Sequence, residues 1–110
     1  DRISWSPVGY REGTLQYHLA VYCKCGQKAP RWISWSLKNP GRRYYTCMRH
    51  RMVQVGGCDF WDWYDGDTAT KFLKQLLIDL SDQAWRLTKE NEDLRTAISE
   101  GRAHAEQMLA

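Results

Sequence analysis

The stretch NPGRRYYTC (residues 39–47) combines a turn, a strand and a cysteine. Its first three residues are a turn signal, because proline fixes φ and glycine permits positive φ. Side chains alternate between the two faces of the strand that follows. The pattern therefore predicts a strand from Arg42 to Cys47, with Arg42 and Tyr44 on one face and Tyr45 beside Cys47 on the other.

Four cysteines fall within a short part of the chain, at positions 23, 25, 47 and 58. Cys23 and Cys25 are too close to form a disulfide with each other without strain, which disfavours a disulfide framework. Four cysteine thiolates can instead complete a tetrahedral shell around Zn²⁺. We therefore predict one structural zinc ion bound by Cys23, Cys25, Cys47 and Cys58, with no open position for a catalytic water.

His18 and His50 are the competing zinc ligands. His50 follows Cys47 at a usable spacing, but the four cysteines already fill the shell, so we expect both histidines on the surface. Gly26 would let the backbone fold back after the Cys23–Cys25 pair.

The charge distribution is uneven along the chain. The formal net charge is +3, yet residues 13–58 contain no Asp or Glu. The basic residues in that stretch are Lys24, Lys28, Arg31, Lys38, Arg42, Arg43, Arg49 and Arg51. A basic surface interleaved with aromatic residues favours an anionic partner. A solvated basic face without a ligand is the alternative.

These motifs together resemble the GRF-type zinc finger, over about residues 23 to 65. The matching segments are Cys23-Lys24-Cys25-Gly26, Ser34-Trp35-Ser36, Asn39-Pro40-Gly41-Arg42-Arg43-Tyr44-Tyr45-Thr46-Cys47 and Cys58-Asp59-Phe60-Trp61-Asp62-Trp63. Tyr44 stands where the family usually has Phe, which keeps an aromatic ring and adds a hydroxyl.

A small antiparallel sheet is expected around the cysteines. Trp32 to Leu37 and Phe60 to Trp63 have the composition of short strands, and residues 15–21 alternate like a further one through Leu15, Tyr17, Leu19 and Val21. Trp35, Phe60 and Trp63 are assigned to the core. Such a module is small, so zinc would supply much of its folding free energy.

The resemblance implies binding of single-stranded DNA and a nuclear, intracellular location. Cations would follow the phosphates while rings stack on bases. The candidate contact residues are Arg42, Arg43, Tyr44, Lys38, Arg49, Arg51 and Trp61. Small plant proteins of this kind often consist of little more than a GRF finger and a coiled coil, so a protein-interaction adaptor is the alternative function. No Ser/His/Asp or Cys/His catalytic set is evident, and we do not expect an enzyme.

From Thr68 the pattern becomes helical, with Asp67 as the predicted N-cap. Apolar residues recur at intervals of four and three, as in a left-handed coiled coil. The seam residues are Leu73, Leu77, Leu80, Ala84, Leu87, Asn91, Leu94, Ile98, Gly101, Ala105 and Met108. Leucine at the d positions and one asparagine at an a position favour a parallel homodimer. Leu76, Trp85 and Ala97 lie off the seam, which leaves heterotypic or higher-order assembly open, and packing of the helix on its own finger is the alternative.

The predicted fold class is therefore small α+β, a zinc-stabilised antiparallel sheet followed by one long coiled-coil helix. The expected units are an N-terminal extension over residues 1–20, the finger over 21–66 and the coiled coil over 67–110. No run of about 20 apolar residues is present to span a membrane. The chain begins at Asp1 rather than Met, so we expect a fragment of a longer polypeptide.

Overall fold

The computed structural model describes residues 5–48 and 58–109. Three short strands precede one long helix. The elements in chain order are β1 (Arg31–Ile33), β2 (Arg43–Thr46), β3 (Trp61–Trp63) and α1 (Lys71–Leu109). This arrangement confirms the predicted fold class, with each strand shorter than the sequence pattern indicated.

The strands form one antiparallel sheet in the order β1-β2-β3. Tyr44, in the central strand, lies opposite Trp32 of β1 and Trp63 of β3, and Thr46 lies opposite Trp61. Because paired residues point to the same side of a sheet, these side chains share one face. We call this the outer face; the opposite side of the sheet carries the core.

A tight turn connects β1 to β2, as residues 39–41 predicted. Gly41 adopts φ +76°, a conformation that glycine tolerates best. The Arg42 N–H donates to the Asn39 carbonyl at 3.3 Å. Ser34 and Arg42 continue the ladder beyond the strands, with the Ser34 N–H donating to the Arg42 carbonyl at 2.8 Å.

The buried core is small. Its buried apolar members are Tyr17, Cys23, Ala29, Tyr45 and Cys47, and the partly buried Val21, Cys58 and Phe60 pack against them. The burial of Tyr45 beside Cys47 confirms the predicted alternation along β2. Three of these eight residues are cysteines, so the metal site and the core are the same part of the structure.

The strand predicted over residues 15–21 is wrong. Leu19 has φ +62° and is 93% exposed, so the backbone leaves the extended conformation in the middle of the alternating pattern. Tyr17 is held in the core by its hydroxyl instead, which donates to the Ala29 carbonyl at 2.5 Å and accepts a hydrogen bond from the Val21 N–H at 3.3 Å. Directly after this segment, Tyr22 and Lys28 form an isolated antiparallel β-bridge.

Residues 10–14 cover the outer edge of β1. The Tyr10 hydroxyl accepts a hydrogen bond from the Ile33 N–H at 2.8 Å, and the Thr14 carbonyl accepts one from the Arg31 N–H at 2.8 Å. Glu12 forms an ion pair with the Arg31 guanidinium. The segment therefore satisfies backbone donors that an open strand edge would present to other chains.

The helix begins later than predicted, and Asp67 is not its N-cap. The Thr70 hydroxyl accepts a hydrogen bond from the Leu73 N–H at 3.2 Å, which is the N-cap arrangement for a helix that starts at Lys71. Asp67 instead pairs with the Lys74 ammonium at 2.7 Å, which connects the linker to the first turn.

The proximal half of α1 packs on the sheet module, as the alternative interpretation proposed. Ser81 is buried, and Leu77, Ile78 and Trp85 are half-buried on the same side. The Trp85 ring lies 5.1 Å from that of Trp5 in a T-shaped pair. All residues from 89 to 109 are exposed, so the distal half projects away from the module. Among the described residues, no helix combines the length and apolarity needed to cross a membrane.

We predict that Gly41→Ala destabilises the protein by about 1–2 kcal/mol, because alanine is strained at positive φ. The new Cβ would also lie 3.3 Å from a Leu77 methyl group. Gly101→Ala is the matched control: it lies within α1 with nothing within 4 Å of the added Cβ, and should stabilise by about 0.5–1 kcal/mol. Denaturant unfolding at fixed zinc concentration measures both changes, and equal losses of stability would contradict the assigned turn.

Candidate functional site

The four cysteine sulfurs form one cluster. All four Sγ atoms lie within 4.8 Å of one another, and no disulfide joins them. The Sγ atoms of Cys23 and Cys25 are 2.7 Å apart, and those of Cys25 and Cys47 are 3.4 Å apart. A ZnS₄ tetrahedron with bonds of about 2.3 Å has sulfur–sulfur edges of about 3.8 Å, which is longer than these two separations and shorter than the 4.8 Å that contains the whole cluster. The donor set therefore fits a single structural zinc ion.

Two backbone features bring the ligands together. A tight turn follows Cys23, whose N–H donates to the Gln27 carbonyl at 2.9 Å while its carbonyl accepts from Gly26 at 3.0 Å. Gly26 has φ +85°, as expected where the chain folds back. Cys47 directly follows β2, and its N–H donates to the Phe60 carbonyl at 3.3 Å. The sheet thus places a ligand from β2 next to the segment that leads into β3.

The cluster favours the thiolate form that binds zinc. A hydrogen bond with the Cys25 thiol is the largest cause that lowers the pKa of Cys23 to about 6, and a hydrogen bond with Cys47 acts in the same direction. A lowered pKa increases the thiolate fraction of Cys23, which is the form that binds zinc. His18 does not belong to the cluster in the described part of the chain, and His50 lies outside the described residues.

Aromatic rings concentrate on the outer face of the sheet. Tyr44 and Trp61 stack with their centroids 5.4 Å apart and an interplanar angle of 24°. Trp63 meets Trp61 edge to face at 4.6 Å, and the Arg42 guanidinium lies 3.9 Å from the Trp63 centroid. The predicted stacking residues Tyr44 and Trp61 are therefore neighbours. The assignment of Trp63 to the core is wrong, because its position in β3 turns it to the outer face.

A groove of about 700 Å³ separates this face from the helix. Its lining includes Trp5, Ile33, Ser34, Trp35, Ser36, Leu37, Asn39, Tyr44, Trp61, Trp63, Ile78, Ser81 and Asp82. We call it the aromatic groove. Trp35, also predicted in the core, is half-buried in its wall, and its indole N–H is buried without a hydrogen-bond partner among the described residues. An unpaired buried donor costs about 1–3 kcal/mol.

The two adjacent arginines, Arg42 and Arg43, have different surroundings. The Arg43 guanidinium forms two hydrogen bonds to the Asp65 carboxylate, at 2.8 and 2.9 Å, and its backbone N–H donates to the same group. This pair raises the pKa of Arg43 and lowers the pKa of Asp65. Arg43 therefore joins β2 to the segment after β3. The sequence placed it in the binding set together with Arg42, and the structure shows it paired with Asp65.

The basic groups near the aromatic groove are Arg42, Lys38 and Lys71. Arg42 uses its Nε–H on the Asp65 carbonyl and one Nη1–H on Asn39, two of its five N–H donors. Lys38 is exposed between two groove-lining residues. Lys71 lies beside Leu37 at the start of α1. The sequence did not indicate that Lys71 lies near this surface, because its position depends on the packing of the helix on the finger. Arg49 and Arg51 lie outside the described residues.

Comparison with known families gives a match over part of the chain. The model of the family described as GRF zinc finger matches residues 21–67. This segment therefore matches a GRF zinc finger. The match confirms the resemblance seen in the motifs, and it includes all four cysteines and all three strands. Comparison with curated proteins and with solved structures gives no significant match. Trp5 and helix α1 lie outside the matched residues, so the aromatic groove is only partly built by the GRF zinc finger.

We predict that the protein binds one zinc ion per chain. The variant Cys47→Ser, which lacks one of the four ligands, should bind none. Zinc contributes about 10–16 kcal/mol of apparent binding free energy in small structural sites, so the variant should lose the fixed environment of its tryptophans. Metal analysis and near-UV circular dichroism measure the two effects. His18→Ala is the control and should keep one zinc ion. Full zinc content in Cys47→Ser, or a zinc-free His18→Ala, would contradict the four-cysteine site.

Proposed function

We propose that this protein binds single-stranded nucleic acid, DNA in the first place, through the outer face of its GRF zinc finger. The observation that carries the proposal is the cluster of Tyr44, Trp61 and Trp63 with the Arg42 guanidinium over the last ring. Aromatic faces stack on unpaired bases at about 1–3 kcal/mol each, and nearby cations follow the phosphates. A duplex does not present its base faces in this way.

The charge near the rings supports the same proposal. Lys38, Arg42 and Lys71 lie on or next to the groove. Arg43 and Lys24 are instead held by the carboxylates of Asp65 and Asp59. These three cations are therefore near the rings, which is the arrangement needed to hold a strand by its backbone and its bases together.

We predict that Lys38→Gln together with Arg42→Gln weakens binding to a labelled single-stranded oligonucleotide and lowers the salt dependence. A plot of the logarithm of the binding constant against the logarithm of the salt concentration has a negative slope. Each cation removed from a phosphate should reduce the size of that slope by about 0.7. Lys24→Gln together with Lys89→Gln is the matched control, since it removes two cations that are already paired with Asp59 and Glu92. Fluorescence polarisation over a salt series gives affinities and slopes, with a duplex of the same sequence alongside.

Two outcomes would contradict this assignment. One is an equal decrease of affinity in the control and the double variant, which would show only an effect of net charge. The other is no binding at low salt by protein that holds its zinc. The second outcome favours the alternative, an adaptor in which the groove docks a protein segment, because the same tryptophans would suit apolar side chains.

We also propose that α1 forms a parallel homodimer. The seam residues Leu73, Leu80, Leu87, Leu94, Ile98 and Met108 are 46% to 75% exposed, an apolar stripe that a second helix would cover. Leu77 and Ala84 are half-buried on the finger side, so they are less available than the sequence pattern implied. Phe72 and Leu76 are also exposed, at 73% and 41%. Leu76 lies one helical turn before Leu80, so the two side chains are neighbours on the helix surface. The stripe from Leu87 to Met108 is free of the finger.

We predict that Leu94→Asp converts the dimer to a monomer, because it places a charge in the seam of both chains. Thr96→Asp is the control, an exposed residue of the same helix outside the seam, with the same added charge. Size-exclusion chromatography with light scattering gives the mass of each. A monomeric parent protein, or a dimeric Leu94→Asp, would contradict assembly through this stripe.

A further inference from the structure

The aromatic groove has an aromatic residue that the GRF zinc finger does not supply. The finger contributes Tyr44, Trp61 and Trp63, which lie together on the outer face of the sheet. The N-terminal segment contributes Trp5, and the proximal half of α1 contributes further lining residues. Trp5 lies outside the residues that the family model matches. The rings around the groove therefore come from two separate parts of the chain.

The position of Trp5 is fixed by contacts on both sides of its segment. Its ring meets that of Trp85 in a T-shaped pair at 5.1 Å, which places Trp5 on the helix side of the groove. In such a pair one ring presents its edge to the other, so at least one face of Trp5 stays outside this contact. Residues 10–14 hold the segment on the edge of β1, and between them and Trp5 the Ser6 hydroxyl donates to the Val8 carbonyl at 2.7 Å. Trp5 is therefore placed at the groove in advance of a ligand, which lowers the entropy cost of binding.

We propose that Trp5 is a second stacking residue for the single strand, on the helix side of the aromatic groove. The inference rests on the proposed function, and it deepens it by extending the binding site beyond the finger. The groove volume of about 700 Å³ falls within the range of ligand clefts, about 300–1,000 Å³. Unpaired bases that enter it would meet the finger rings on one side and Trp5 on the other. Lys38 and Arg42 would remain with the phosphates at its boundary.

The first measurement is the affinity of the full-length, zinc-loaded protein for a labelled oligothymidine. Trp5→Ala should weaken binding about five- to tenfold, within the range for one base–aromatic stack. Trp5→Phe keeps a ring and should lose about twofold or less. The salt dependence should stay as in the parent protein, because neither variant removes a cation. Tyr22→Ala is the matched control, since Tyr22 is an exposed aromatic residue outside the groove lining, and it should keep the parent affinity.

A cross-linking measurement separates direct contact from a purely structural role of Trp5. Oligothymidine with 5-iodouracil at single positions along the strand is a photochemical probe for aromatic side chains that touch a base. After irradiation and digestion, mass spectrometry should locate cross-links at Trp5 as well as at Trp61 or Tyr44. All variants should keep one zinc ion and the parent far-UV circular dichroism spectrum.

The two measurements distinguish failure of this inference from failure of the proposed function. Parent affinity in Trp5→Ala, or an equal loss in Tyr22→Ala, would overturn the role of Trp5 and leave the proposed function standing. Weakened binding with cross-links confined to the finger would overturn it as well, because Trp5 would then only shape the groove. No binding of oligothymidine by the zinc-loaded parent protein would overturn the proposed function and this inference together.

Discussion

Zinc coordination by four cysteines is the constraint on which the rest of the structure depends. Three of the eight core residues are cysteines, and the strands have only three or four residues each. A sheet of this size buries too little apolar surface to offset the entropy of ordering its loops. The metal compensates by joining the turn after Cys23, the end of β2 and the segment before β3. Without it, Tyr44 and the tryptophans of β3 would have no fixed geometry.

Alternation along β2 then gives adjacent residues different roles. Tyr45 packs in the core, whereas Tyr44 stacks with Trp61 on the outer face. Arg43 pairs with Asp65, whereas Arg42, directly before the strand, covers Trp63. One short segment therefore connects the metal site, the structural ion pair and the proposed ligand surface. A substitution at Arg43 would therefore affect the ion pair with Asp65, whereas one at Tyr44 would affect the proposed ligand surface.

The proximal half of the helix has two faces with different surroundings. Leu77, Ile78 and Ser81 face the finger, where Ile78 and Ser81 line the aromatic groove, while Leu73 and Leu80 are exposed. The proposed dimer and the groove thus use neighbouring surfaces of the same helix. Dimerisation would place two grooves on one particle, which raises avidity for a strand long enough to reach both.

The sequence by itself determined the zinc ligands, the turn at residues 39–41, the face pattern of β2 and the presence of one long helix. Each of these depends on local chemistry or on spacing that one strand or helix imposes. The tertiary structure decided what no spacing encodes: that Arg43 pairs with Asp65, that Thr70 rather than Asp67 caps the helix, and that the helix folds onto the finger. Leu19 shows the same limit, because an alternating pattern does not reveal a residue at positive φ. The aromatic groove depends on segments far apart along the chain, so only the folded chain brings Trp5, Trp61 and Asp82 together.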